Sequence, residues 1–313
     1  MTTNPAVVAT AYGEPNVLTL IDTDRPAPGA GQVLIEVRAA GINPLDYKLY
    51  SGAFGTDPDG LPMRLGLEVS GVIAEIGPDQ TDGDALAVGD PVLSYAVTGG
   101  YAAYVVADRA DVFAKPESIS FEEASGLLLT GATAVDLLAS TRVGAGDTVL
   151  VHGASGSVGS MVVQLATARG ARVIGTASAQ RQEELRAMGA EPVVYGPGLT
   201  DRVRALAPGG IDVALDTVGT DEAIDTSAEL VADRSRIATI ANFAKAPALG
   251  IQVLTGGGPT AELRARSRAE LVELAGQGKL TVKVDRTFPL GEAAAAHAYL
   301  KGGQAKGKLA LIP

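Results

Sequence analysis

The residues from Thr148 to Ser178, TVLVHGASGSVGSMVVQLATARGARVIGTAS, pass without a break through an apolar strand pattern, a glycine-rich turn, an amphipathic helical stretch and a second apolar strand pattern. A βαβ unit of this kind demands a parallel sheet covered by helices, and its first turn is where such sheets bind dinucleotides. Phosphate must meet backbone N–H groups at close range, so the turn needs small residues. Gly153, Ala154, Gly156 and Gly159 supply them, with Ser155, Ser157 and Val158 between. The helix that starts near Ser157 presents its unpaired N–H groups and the positive end of its dipole to the anion. Ala154 stands where the GxGxxG pattern has its first glycine, and the strands on both sides give the pattern its context.

The end of the second strand selects the dinucleotide. A site for NAD usually has Asp or Glu about 20 residues after the first glycines, bonded to the ribose 2′-hydroxyl. Here the chain reads Thr176, Ala177, Ser178, Ala179, and the first acids, Glu183 and Glu184, fall in the next helical stretch. Ser178 and Arg181 are donors suited to a 2′-phosphate, so NADP(H) is the expected cofactor.

At 313 residues the chain has room for two domains, and 46% hydrophobic with 19% charged residues describes a soluble, well-cored protein. No signal peptide pattern opens it and no apolar run reaches about 18 residues, so a cytoplasmic protein without a membrane partner is expected. A net charge of -11 repels nucleic-acid phosphates. The absence of cysteine excludes disulfides and thiolate zinc sites. With His152 and His297 as the only histidines, in separate segments, no metal site is expected.

The first third reads as β structure, in VLIEVRAAGI, LEVSGVIAEIG, GDPVLSY and YAAYVVA. Ser120 and Glu123 have capping-box spacing ahead of a long apolar helical run, which puts a domain junction near Ser120. From Asp147 to about Val253 six strand patterns alternate with helices, predicting an α/β, doubly wound, six-stranded parallel sheet. The tail then gives a strand, an alanine-rich helix and the closing strand KGKLALIP. The expected division is a barrel-like substrate domain over 1–120 plus 281–313 and a dinucleotide domain over 121–280. The glycines of TGGGP, Thr255 to Pro259, read as a loop on the nicotinamide side or as a plain tight connection.

In order along the chain, AGINPLDYKLYSG, LGLEVSGVIAEIG, VGDPV, GGYAAYVV, LTGATA, HGASGSVG, LDTVG and GKLALIP resemble the medium-chain dehydrogenase/reductase superfamily, and within it the zinc-free NADPH:quinone oxidoreductases. The resemblance implies a chaperonin-10-like β-barrel joined to a Rossmann domain, and a homodimer formed through the sixth strand. Zinc-dependent relatives have a cysteine where this chain has Asn43, and a histidine in a GHE triplet where it has Gly66, Leu67 and Glu68. The resemblance also implies that Asn43 and Asp46, of the NPxD motif, look over the substrate cleft. Thr130, Thr133, Asn242, Phe243 and Lys308 match cofactor-side positions, and Tyr195 stands one place before the position that often carries an adenosine-stacking tyrosine.

Hydride transfer from NADPH to a quinone is the leading expectation. Charge grows on the acceptor oxygen, and Asn43 and Lys48 are the candidate donors to it. Reduction of an enone or enoyl compound would use the same hydride, and a non-enzymatic NADPH-binding protein, like the lens zeta-crystallins, is a third reading.

Overall fold

The computed structural model describes residues 3–78, 86–257 and 260–313. The chain forms two compact units, Met1–Leu129 with Ala275–Pro313, and Thr130–Leu274.

Strands β1 (Thr3–Ala9) and β2 (Leu18–Asp24) form a hairpin, followed by β3 (Gln32–Ile42), helix α1 (Pro44–Tyr50) and the short β4 (Met63–Arg64). Then come β5 (Glu68–Ile76), β6 (Pro91–Tyr95), β7 (Tyr104–Asp108), β8 (Val112–Ala114) and the single-turn α2 (Phe121–Ala124). Helix α3 (Leu128–Ser140) leads into the second unit, where β9 (Thr148–His152), α4 (Ser157–Ala168), β10 (Arg172–Ala177), α5 (Gln182–Ala187), β11 (Glu191–Val194) and α6 (Leu199–Leu206) alternate. The alternation continues through β12 (Val213–Asp216), α7 (Asp221–Leu230), β13 (Ile237–Thr239), β14 (Gln252–Val253) and α8 (Ala261–Gly276). The chain returns to the first unit as β15 (Val284–Pro289), α9 (Ala293–Lys301) and β16 (Lys308–Ile312).

The second unit is a six-stranded sheet in the order β11-β10-β9-β12-β13-β14, parallel at every pairing. Strands covered on both faces have no polar side, which is why Val149 to His152 and Val173 to Ala177 are buried without alternation. On one face Leu150, Ile174, Ala214, Ile224 and Ile237 share a core. The expected doubly wound sheet is therefore present.

In the first unit β15, β16, β3, β5, β6 and β8 make one sheet, with β7 on β3, and β2-β1-β4 make a second. Its core joins Val33, Ile35, Val69 and Ile73 from the amino-terminal strands to Leu309 and Leu311 from the carboxyl-terminal one. The closing strand lies antiparallel to β3, pairing Leu309 with Ile42.

The units divide at Leu129/Thr130 and Leu274/Ala275, not at residues 120 and 281. The Ser120 cap forms as expected: its hydroxyl accepts the Glu123 N–H at 3.1 Å and the Glu123 carboxylate accepts the Ser120 N–H at 2.7 Å. It opens only the one turn of α2, which packs on β3 and β5. The chain is thus held in the first unit until α3.

Candidate active site

In the second unit, β9 ends in the glycine turn. Gly153 donates its N–H to Thr176 Oγ1 at 3.1 Å and Ala154 donates to the Thr176 carbonyl at 3.0 Å, so the turn is tied to the neighbouring strand β10. Gly156 is the N-cap of α4 and no side chain caps the helix. The N–H groups of Ser157, Val158 and Gly159, in the first turn, have no intrahelical acceptors and are open to an anion. A Cβ on Gly159 would lie 2.2 Å from the Gly153 carbonyl oxygen, so only glycine allows this close approach. Ala154 is tolerated because its side chain packs over Gly175, where a Cβ would come within 2.8 Å of it. The residues present fit a dinucleotide diphosphate.

Ser178 and Arg181 follow β10. The Arg181 guanidinium is paired with Glu184, at 2.9 Å from Nε to Oε2 and 2.7 Å from Nη2 to Oε1. Its sequence neighbour thus already holds the side chain expected to meet a 2′-phosphate. Tyr195, after β11, is 55% exposed and open to stacking. After β13, Asn242 is buried, its amide donating to the Gly219 carbonyl at 3.1 Å and accepting the Lys245 N–H at 2.9 Å, whereas Phe243 is exposed. On α3, Thr130 is buried and Thr133 Oγ1 accepts from Arg264 Nη1 at 3.2 Å. Arg264, on α8, is itself buried and paired with Asp136 at 3.4 Å. Nothing in the sequence pattern singles it out. Gly258 and Pro259 of the glycine loop lie outside the described residues.

The first unit buries a polar cluster of its own. Pro44 begins α1, and the carboxylate of Asp46 accepts the Asn43 backbone N–H at 2.8 Å. The Asn43 side chain points elsewhere: Oδ1 accepts from Lys308 Nζ at 2.7 Å, and Nδ2 faces Glu68 Oε2 at 3.4 Å and the Gly41 carbonyl at 3.5 Å. Lys308 Nζ also reaches Glu68 Oε2 at 3.4 Å. The other Glu68 oxygen accepts the N–H groups of Leu128 and Leu129 at 2.7 and 3.1 Å, at the start of α3. Asn43 is 1% exposed and Asp46 0%, so neither presents its side chain at a surface. Lys308 belongs to this cluster, and Lys48, on the last turn of α1, is half-buried, which lowers its pKa.

Asp46 Oδ2 also accepts from Tyr101 Oη at 3.0 Å, and Oδ1 is buried without a hydrogen-bond partner. Desolvation raises its pKa to about 6, outweighing the bonds from Asn43 and Tyr101 and the charge of Lys308. Tyr101 is seated by Gly66, whose φ is +90° and whose Cβ, if present, would lie 2.5 Å from the Tyr101 backbone nitrogen. Tyr101, His297 and Tyr50 are fully buried beside Asp46; the sequence offers Tyr50 as a proton source or pocket residue and gives Tyr101 and His297 no role in the reaction. A partner 196 or more positions away leaves no local signal.

Among the described residues no group of His, Cys, Asp and Glu is arranged to hold a metal ion, and no helix is long and apolar enough to cross a membrane.

The family description "Alcohol dehydrogenase GroES-like domain" matches residues 29–117, and "Zinc-binding dehydrogenase" matches residues 188–311. A quinone oxidoreductase of Pseudomonas aeruginosa is 32% identical over 325 residues, covering 97% of this chain and 98% of that protein. A quinone oxidoreductase of Mus musculus is 39% identical over 177 residues, and there the chain spans about half of the relative, 52% of its length. A mycobacterial protein solved in complex with NADPH superposes with a TM-score of 0.86 at 32% identity, over 99% of this chain and 100% of that one. The CurK enoyl reductase superposes with a TM-score of 0.87 at 25% identity, over 99% of both chains.

Proposed function

The chain belongs to the medium-chain dehydrogenase/reductase family, in its quinone oxidoreductase branch, and from this we propose that it is an NADPH-dependent oxidoreductase that reduces a quinone without a metal. The observation that carries the proposal is the glycine turn with an uncapped helix N-terminus behind it, followed by a strand end free of carboxylates. NADPH, when bound, supplies the hydride; a proton completes reduction to the hydroquinone. Ser157, Val158 and Gly159 bind the diphosphate through their N–H groups, and Ser178 and Arg181 take the 2′-phosphate, the guanidinium turning from Glu184 or being shared with it. Lys48 is the donor suited to the charge that grows on the acceptor oxygen, since partial burial weakens its hold on a proton. Asn43 acts through the cluster it orients, because its amide is already bonded on both sides.

Zinc independence has two supports. The chain has no cysteine. In addition, the Lys308 ammonium lies against both Asn43 Oδ1 and Glu68 Oε2, so these acceptors are already neutralised by a cation of the chain's own. Among the described residues β14 is an edge strand of the six-stranded sheet, which suits a homodimer joined through it; a cytoplasmic location is part of the same proposal.

The test is NADPH consumption with 1,4-benzoquinone, 9,10-phenanthrenequinone and a panel of small enones, with NADH as control. Quinone turnover with NADPH and little with NADH is expected. Turnover confined to enones would replace the quinone by a conjugated carbonyl, the reading that the likeness to an enoyl reductase favours. NADPH binding without turnover would leave a binding protein.

A further inference from the structure

His297 has both ring nitrogens engaged. Tyr50 Oη lies 3.0 Å from Nδ1 and Tyr101 Oη lies 3.1 Å from Nε2. Burial lowers the His297 pKa to about 4, so at neutral pH the ring is uncharged and carries one N–H. Tyr101 has one hydrogen, and its other partner, Asp46 Oδ2 at 3.0 Å, is an acceptor when ionised. Tyr101 therefore donates to Asp46 and its oxygen must accept from His297 Nε2–H. Nδ1 is then bare, and Tyr50 donates to it. The hydrogens all point one way, from Tyr50 through His297 and Tyr101 to Asp46.

We propose that Tyr50, His297 and Tyr101 are positioning residues for the reduction, a polarised hydrogen-bond chain that holds the Asp46 carboxylate on the Asn43 backbone N–H and so fixes Asn43 and Lys308. This rests on the oxidoreductase reading above. None of the three touches the reacting atoms; they act through Asp46. The need for the chain follows from the sparse support of this buried carboxylate: Tyr101 is its one side-chain donor, so losing that hydroxyl leaves Asp46 with backbone N–H groups alone, that of Asn43 foremost. The charged and titratable groups around the chain are Lys308 and Tyr101 at Asp46, Glu68 across Asn43, and Glu14 and Tyr47 at Tyr50.

Tyr101→Phe removes the donor to Asp46 and keeps the ring. The loss of a hydrogen bond to a charged group should raise the acid limb of the kcat profile by about one pH unit. With the wild-type limb near 6, kcat then falls about fivefold at pH 6 and about twofold at pH 7, and is unchanged at pH 9. His297→Leu should shift the limb in the same direction, and His297→Gln, which keeps an N–H donor, should restore part of it. KM for NADPH should not move. A loss of kcat that is equal at every pH would mean a merely structural role and would overturn the proposal. Independently of activity, 15N spectra of the wild-type protein should show His297, identified as the signal lost in His297→Gln, protonated at Nε2 from about pH 7 to 8, where Asp46 is ionised. An Nδ1-protonated ring would overturn the chain even if quinone turnover is found, and absence of turnover would reject the activity while leaving this measurement decisive.

Discussion

Asp46→Asn isolates the energetic cost of a buried carboxyl. In the folded protein desolvation raises the Asp46 pKa from 3.8 to about 6. A carboxyl that holds its proton more tightly when folded stabilises the fold most fully below its unfolded pKa, and that contribution is lost as pH rises through the folded one. Integrating the linkage relation, the loss is about 1.6 kcal/mol by pH 5 and about 3 kcal/mol by pH 7.5. Asparagine does not titrate, so the stability of wild type minus variant should fall by about 1.4 kcal/mol between pH 5 and 7.5. His297, held near pKa 4 when folded, destabilises both proteins alike as pH drops below 6.5 and cancels from the difference. The protein has no tryptophan, and of its eight tyrosines all but Tyr195 lie in the first unit, so tyrosine fluorescence during urea titration follows the unit that contains Asp46. A difference that stays constant across this pH range would refute the assignment of a raised pKa to Asp46.

Gly159→Val sets a Cβ within 2.2 Å of the Gly153 carbonyl oxygen, and the shift this forces in the turn should weaken NADPH binding by at least about tenfold in a fluorescence titration. Arg181→Ala should raise the Kd for NADPH by about tenfold and leave that for NADH alone, as expected for a bond to a phosphate. Glu184→Gln, which removes the negative charge beside the guanidinium, should tighten NADPH binding; equal effects on both cofactors would reject Arg181 as the 2′-phosphate ligand. Lys308→Met leaves Glu68 and Asn43 buried without their cation and should cost about 3–5 kcal/mol, read as a lower urea midpoint for the first unit.

The sheet of the second unit is legible because its strands are mainly apolar runs bounded by glycine, proline or polar turns, a pattern that depends only on neighbours along the chain. The glycine turn was legible for the same reason, and even the departure at Ala154 has a local explanation in Gly175, on the adjacent strand. The cap at Ser120 is legible in its S-x-x-E spacing, whereas the break between α2 and α3 in the apolar run behind it is not, because α2 packs on β3 and β5, strands distant in sequence. The sequence offers Arg181 as a donor to a 2′-phosphate, and Glu184, three residues on, stands at a spacing where opposite charges meet and pairs with it. The polar cluster of the first unit was out of reach. Asn43, Glu68, Tyr101, His297 and Lys308 come from five separate segments, and only folding brings them together.

The cluster also explains why a buried ion pair is kept where an apolar pair would stabilise the fold as well. An asparagine amide has nearly the same shape with oxygen and nitrogen exchanged, so packing alone cannot orient it. Lys308 beside Oδ1 and Glu68 beside Nδ2 can: exchange would place an N–H against an ammonium and a carbonyl against a carboxylate. Asp46 meanwhile holds the backbone of the same residue, and Glu68 is itself held by the N–H groups at the start of α3. Asn43 is thereby pinned at its side chain by the Lys308–Glu68 pair and at its main chain by the carboxylate of Asp46. A residue needed only to begin α1 would not require this; one that sets the orientation of a reactive surface would.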